Sequence, residues 1–276
     1  MKTFIVPTDF SDTSKNAARF AAQVALEVRD CRILLYNVFD KIETGSDSSV
    51  LYNDHESRRK IMELALESVK IDMLTVAPGI KVDCLAEEEG SFINSLERLA
   101  RHEGADMIIM GITGSTRLSQ IFIGSNTLSM VNKNVCPVMI VPPDATFTGI
   151  KKMVFTSDFK DIATTTPVKA LRSVLDTFKP FLYIVNVDSE HYVELSEDYK
   201  TERAKLDEML KDYDKEYFFI RMYDFMEAIN QFTADNQIDL IMTVPKNHSF
   251  LTGLFRSNYT KKLAYHSHVP LIAVHE

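Results

Sequence analysis

Residues 2–14 read KTFIVPTDFSDTS, and residues 151–163 read KKMVFTSDFKDIA. Each is a short apolar strand that runs into a small polar residue and then Asp-Phe-x-Asp, so Asp9 answers Asp158. The correspondence continues in one order along both halves. ILLYNVFD (33–40) answers FLYIVNVD (181–188), GADMIIMG (104–111) answers QIDLIMTV (237–244), and VCPVMIVP (135–142) answers HVPLIAVH (268–275). Four matched strands in the same order make a tandem duplication.

The joint is PPDATFTGI (142–150), a Pro/Gly/Thr stretch without periodicity. The expected domains are residues 1–143 and 150–276, each near the usual single-domain size. Within a copy the apolar runs are short and almost unbroken (FIV, ILLYNV and MIIM; FLYIV, LIM and LIAV), as in strands buried on both faces of a parallel sheet. Amphipathic segments at 13–29, 57–76, 91–102 and 125–132 separate the runs of the first copy. In the third, Ile93, Leu96 and Leu99 share one helical face and Gly104 supplies the stop. The alternation predicts an α/β fold, two tandem doubly wound parallel sheets with right-handed crossovers and helices on both faces. Ligands of such sheets bind at the C-terminal ends of the strands, where the strand order reverses. The polar, Ser-rich stretch 40–55 reads as a loop, either merely mobile or a lid.

Composition removes several function classes. The net charge is −8 without any Lys/Arg block, which argues against nucleic acid. No apolar run approaches the roughly 20 residues that span a bilayer, and MKTFIVPTDF lacks the h-region of a signal peptide. A soluble, cytoplasmic protein with no membrane partner is expected. Cys31, Cys84 and Cys136 are far apart and read as reduced thiols. His266-Ser267-His268 reads as a surface pair, because a metal would need a third ligand nearby. Glu87-Glu88-Glu89 reads as a solvated strand end, and no spacing points to a nucleophilic triad.

The remaining signal is MGITGSTRLSQIFIGSN (110–126), which holds three of the nine glycines. Gly111 directly follows the strand DMIIM, Gly114 comes after two intervening residues, and Gly124-Ser125 opens the next helix after nine more. Glycine lets a backbone approach a ligand closely, and a helix N-terminus attracts phosphate. Ser125 caps that helix or donates its hydroxyl to a phosphate, and Arg117 suits a neighbouring phosphate oxygen. Neither a P-loop nor the dinucleotide G-x-G-x-x-G is present. Asp9 reads either as a ligand contact or as an N-cap or turn carboxylate.

Asp9 in VPTDFSDTS, NVFD at the end of the second strand, and MG-x2-G-x9-GS together resemble the universal stress protein family, once per half. The resemblance implies a five-stranded parallel sheet of order 3-2-1-4-5, the adenine nucleotide α-hydrolase-like fold. It also implies ATP binding, since in that family the G-x2-G-x9-G-[ST] motif marks members that bind ATP. Carried over by position, Asp9 and Val38 contact the adenine and ribose, and Met110, Gly111 and Gly114 line the nucleotide floor. Gly124, Ser125 and Asn126 hold the phosphates with a divalent ion, Mg²⁺ or Mn²⁺. The second copy departs from this pattern. Thr243, Lys246 and Arg256 replace the three glycines and Pro245 stiffens the loop, so the second site is expected to hold no ATP, though Asp158 and Met242 leave room for a base. Lys246, His248 and Arg256 there suit at most a smaller phosphate compound.

The sequence thus predicts a nucleotide-dependent switch or sensor in stress response, with one site in the first domain. The alternatives are a slow ATPase or phosphotransferase, and an interaction module that binds no nucleotide. An intramolecular pseudo-dimer through the last strands of the two copies, and a further homodimer, are expected from edge strands that need covering. A regulatory protein partner is not identifiable from the sequence.

Overall fold

The computed structural model describes residues 1–28, 30–40, 48–112, 124–187, 197–222, 224–245 and 269–275, with backbone alone for 48–55 and 226. They fall into two compact units, the first ending at Phe147 and the second opening at Thr148. Among the described residues no helix is long and apolar enough to cross a membrane.

Unit 1 alternates strand and helix: β1 (Lys2–Pro7), α1 (Asp12–Glu27), β2 (Cys31–Phe39), α2 (Ser48–Val76), β3 (Lys81–Glu88), α3 (Phe92–Glu103), β4 (Met107–Gly111), α4 (Ser125–Asn132) and β5 (Val138–Val141). Every pairing is parallel, and the order is β3-β2-β1-β4-β5. Helices α1 and α2 pack together on one face, α3 and α4 on the other. The middles of the central strands are apolar, and Phe4, Ile5, Ile33, Leu35 and Ile108 are fully buried. Helix α3 ends where Gly104 turns to φ +57, the left-handed cap expected of it. The joint residues 142–147 dock on α1: Asn16 Nδ2 donates to the carbonyls of Pro142 and Ala145 at 3.1 Å, and Phe147 meets Phe20 edge-on.

Helix α2 differs from the sequence expectation. It starts at Ser48, inside the stretch read as a loop, and runs for 29 residues. Its first turns are rich in Ser, Asn and Asp, which favour caps and turns in isolation, and they carry little apolar periodicity.

Unit 2 repeats the plan with β6 (Lys152–Thr156), α5 (Ile162–Thr165), α6 (Val168–Phe178), β7 (Phe181–Val187), α7 (Glu197–Met209), β8 (Lys215–Ile220), α8 (Phe225–Asn236), β9 (Leu240–Thr243) and β10 (Leu271–Ala273). Its order, β8-β7-β6-β9-β10, is again 3-2-1-4-5 within the unit. Where unit 1 has the continuous α1, unit 2 has two helices. Pro167 forces Thr166 into extended backbone (φ −102°, ψ 113°) and breaks the helix there.

A carboxylate closes the N-terminal edge of each sheet. Asp106 accepts from Thr3 N and Lys2 Nζ, both at 2.8 Å, and Asp239 accepts from Lys151 N at 2.8 Å and Lys152 N at 2.9 Å. The repeat is therefore kept in side-chain detail at the end of the sheet far from the strand C-termini.

Candidate functional site

The strand order of unit 1 reverses between β1 and β4, and there the two strands part. Their pairing covers Phe4↔Met107 and Ile5↔Ile108, whereas β1 pairs with β2 as far as Pro7↔Tyr36. A crevice at this place is where an open α/β sheet receives a ligand.

One wall is the turn after β1. Asp9 is exposed, and its Oδ1 accepts from Ser11 N (3.1 Å) and Ser11 Oγ (2.6 Å). Ser11, not Asp9, is the N-cap of α1, so Asp9 is a turn carboxylate that sets the cap. Phe10 between them is forced to φ +64°, an uncommon conformation for a residue with a side chain. Thr8 is tied down on three sides. Its N–H donates to Tyr36 O, its hydroxyl meets Ser14 Oγ at 3.0 Å, and its carbonyl accepts from Asn37 Nδ2 at 2.8 Å.

The opposite wall is β4 with the start of α4. Met110 and Gly111 are the last residues of β4, in register with Ile140 and Val141. Gly124 is the N-cap of α4, and its N–H donates to Ile112 O at 2.6 Å. Thr127 Oγ1 reaches back to Gly111 O at 3.1 Å. These two bonds bring the ends of the glycine stretch together and hold the first turn of α4 beside the end of β4. The cap is a glycine without a side chain, so among the described residues no side chain caps the first-turn N–H groups, and Ser125 and Asn126 are exposed. Ser125 is the first helical residue, which removes the reading of it as the cap. Gly114 and Arg117 lie outside the described residues.

Val38 stands in β2 beside Glu87 of β3. Near it the Tyr36 hydroxyl and the Arg98 guanidinium both donate to Glu87, so Glu87 is an organised carboxylate and not merely a solvated strand end. Burial first, and then the bond to Glu87, push the Tyr36 hydroxyl well above its usual range, so it stays a donor.

Unit 2 offers the same loci without the opening. Asp158 Oδ1 accepts from Lys160 N (3.2 Å), Phe159 again has positive φ, and Asn186 Nδ2 donates to Ser157 O (2.9 Å). Yet β6 pairs with β9 one residue further, to Phe155↔Met242. Beyond that pair, Thr156 Oγ1 donates to Thr243 Oγ1 at 3.2 Å, both residues buried. By strand register Thr243 answers Met110 and Thr156 answers Pro7, while Gly111 answers Val244, which corrects the matching of Thr243 to Gly111 expected from the sequence. The hydroxyl pair joins β6 and β9 where β1 and β4 part. Phe159 is buried against Tyr199, Tyr217 and Phe219, with ring centroids 4.9–6.1 Å away. Lys246, His248, Arg256, His266 and His268 lie outside the described residues.

Sequence reasoning missed Asn37, Thr127 and the Thr156–Thr243 pair. The repeated Asn-Val of NVFD and VNVD was the available signal for Asn37 and Asn186. Among the described residues no group of three His, Cys, Asp or Glu could hold a metal ion. Burial raises all three thiols, Cys31 and Cys136 to about 12 and Cys84 to about 11, so none is a thiolate nucleophile at neutral pH.

The model of the universal stress protein family matches residues 1–142. Among curated relatives, the universal stress proteins MJ0577 and MJ0531 of Methanocaldococcus jannaschii are 29% identical over 160 residues and 30% identical over 145. Each match covers 51% of this chain, and 94% and 81% of the relative. The crystal structure of a universal stress protein from Archaeoglobus fulgidus aligns with 99% of this chain and 95% of its own, with a TM-score of 0.62 at 15% identity. That last likeness concerns the fold, while the family model and the relatives concern the sequence of about half the chain. The chain belongs to the universal stress protein family.

Proposed function

We propose that this chain is an ATP-binding regulatory protein of the stress response, with one competent site in unit 1. One observation carries the reading: the glycine-capped first turn of α4 is held by the Gly124–Ile112 bond beside the end of β4, where β1 and β4 part. Uncapped helix N–H groups at a switch point suit the phosphates of a nucleotide. Asp9, Val38 and Met110 would face the adenosine, Gly111 and Gly114 the backbone approach, and Arg117, Gly124, Ser125 and Asn126 the phosphates. A Mg²⁺ or Mn²⁺ ion would be held chiefly by the phosphates and water, in keeping with the sparse protein ligation that Mg²⁺ accepts.

In this reading the protein is a switch or sensor, cytoplasmic, built from domains at 1–143 and 150–276 that act as a pseudo-dimer. No described residue in the crevice is set up as a base toward a γ-phosphate, so any hydrolysis of bound ATP is expected to be slow. Two measurements test this. Mass spectrometry of ligand released from the purified protein is expected to find an adenine nucleotide. Phosphate release from ATP and Mg²⁺ is expected to fall far below the roughly 1–100 s⁻¹ of kinases. Turnover within that range would make the protein an enzyme instead.

A further inference from the structure

The joint that leaves unit 1 is bound to both walls of the crevice. On one side it grows out of β5, whose last residue, Val141, is in register with Gly111. Ile112 N–H donates to Val141 O at 3.0 Å, and Gly124 N–H donates to Ile112 O at 2.6 Å. The start of the joint is thus two hydrogen bonds away from the cap of α4. On the other side the joint is gripped by α1, the helix that opens from the Asp9 turn. Asn16 Nδ2 carries two hydrogens, and it donates to Pro142 O and to Ala145 O, each at 3.1 Å. One turn further along α1, Phe20 meets Phe147 edge-on with ring centroids 5.3 Å apart.

This grip lies past the point where the sheet joins the two walls, because the ladder between β1 and β4 ends at Ile5↔Ile108. The buried Ala17, Ala18 and Ala21 hold α1 down on unit 1, but apolar packing is non-directional. Two carbonyls on one amide fix where the helix stands against the end of β5. The duplicate does without this tie. Thr165 takes the place of Asn16, and its hydroxyl donates to Lys160 O at 2.9 Å, within its own turn. There the strands are joined directly instead, by the Thr156–Thr243 hydroxyls. The unit whose strands part is the one that carries the Asn16 tie.

We infer that Asn16 is a positioning residue of the nucleotide site: through the joint it holds the Asp9 wall in place against the wall of β4 and α4. The inference rests on the ATP reading above, in which Asp9 meets the adenosine and the first turn of α4 the phosphates. A ligand that touches both walls needs them at one separation, so loosening the joint weakens its binding. By reciprocity, bound ATP tightens the grip of Asn16 on the joint by the same factor. The joint leads into unit 2, which opens at Thr148, so occupancy of the crevice is felt by the segment that leaves unit 1.

Calorimetry with ATP and Mg²⁺, paired with hydrogen exchange of the full chain, tests this. Asn16→Leu nearly keeps the size of the side chain and removes the donor without adding charge. It is expected to bind ATP about tenfold more weakly, within the usual range of coupling between two sites. In the unaltered protein ATP is expected to slow exchange of the buried Ala145 amide, which donates to Pro142 O at 3.2 Å, and in Asn16→Leu to leave it unchanged. Exchange of Phe4, Ile5 and Val6 in the core of β1 is expected to be equal in both proteins, which separates lost positioning from lost fold. If it is not equal, Phe147→Ala releases the joint at its other anchor and is expected to weaken ATP binding in the same direction. An unaltered protein that binds no ATP overturns the ATP reading and the role of Asn16 with it. ATP binding that leaves Ala145 exchange unchanged, or that is undiminished in both variants, overturns the role of Asn16 alone.

Discussion

Gly124→Val is expected to weaken ATP binding by at least about a hundredfold while unit 1 remains folded. Gly124 has φ −59° and ψ 148°, a conformation open to any residue, so the backbone does not require glycine there. What glycine provides is the absence of a side chain at the cap of α4. A valine places two methyl groups against the N–H groups that a phosphate would meet, and their loss together with lost charge contacts exceeds about 2.7 kcal/mol. The cost to the fold is small, because valine in place of glycine at an N-cap loses on the order of 1 kcal/mol or less. The second copy carries Arg256 at the corresponding place and keeps the same strand order. Fluorescent-nucleotide titration of the variant, with its thermal melt as control, reads both quantities. Unchanged affinity would remove the phosphates from this helix.

Phe4→Ala is expected to have the largest effect on stability, about 3–5 kcal/mol, lowering the melting temperature of unit 1 by roughly 10–15 °C. Phe4 is fully buried in the central strand, in register with Ile33 on one side and Met107 on the other. Helices cover both faces of the sheet, so the space left by the ring has no route to water and little freedom to collapse. The residue also anchors the strand that ends in Asp9, and nucleotide binding is expected to be lost with the fold, not before it. Circular dichroism on heating checks the size of the effect. A change under about 1 kcal/mol would contradict the placement of Phe4 in a close-packed core.

Much of this architecture was legible because β1, β2, β4 and β5 are buried on both faces and spell unbroken apolar runs. The edge strands β3 and β8 are harder to read. Lys81, Asp83 and Leu85 alternate outward along β3, and the run is diluted by Asp and Glu. Asp9, Gly111 and Gly124 stood out by spacing and by the duplicate, whereas Val38 came from the family resemblance alone. What the sequence hid are contacts between distant residues. Asn37 tying down Thr8, Thr127 reaching Gly111, and Thr243 bonding Thr156 each need the strand register before the partners can be named. The last of these changes the reading of unit 2 most. Three replaced glycines predicted a second site without ATP, and the buried hydroxyl pair adds a bond between β6 and β9 where β1 and β4 part.

This contrast between the units is the centre of the account, and the stoichiometry of ATP binding tests it most directly. Isothermal titration calorimetry of the full chain with ATP and Mg²⁺ is expected to give one site per chain, lost in Gly124→Val and untouched by Thr243→Val. Two sites per chain, or one that survives Gly124→Val, would contradict it.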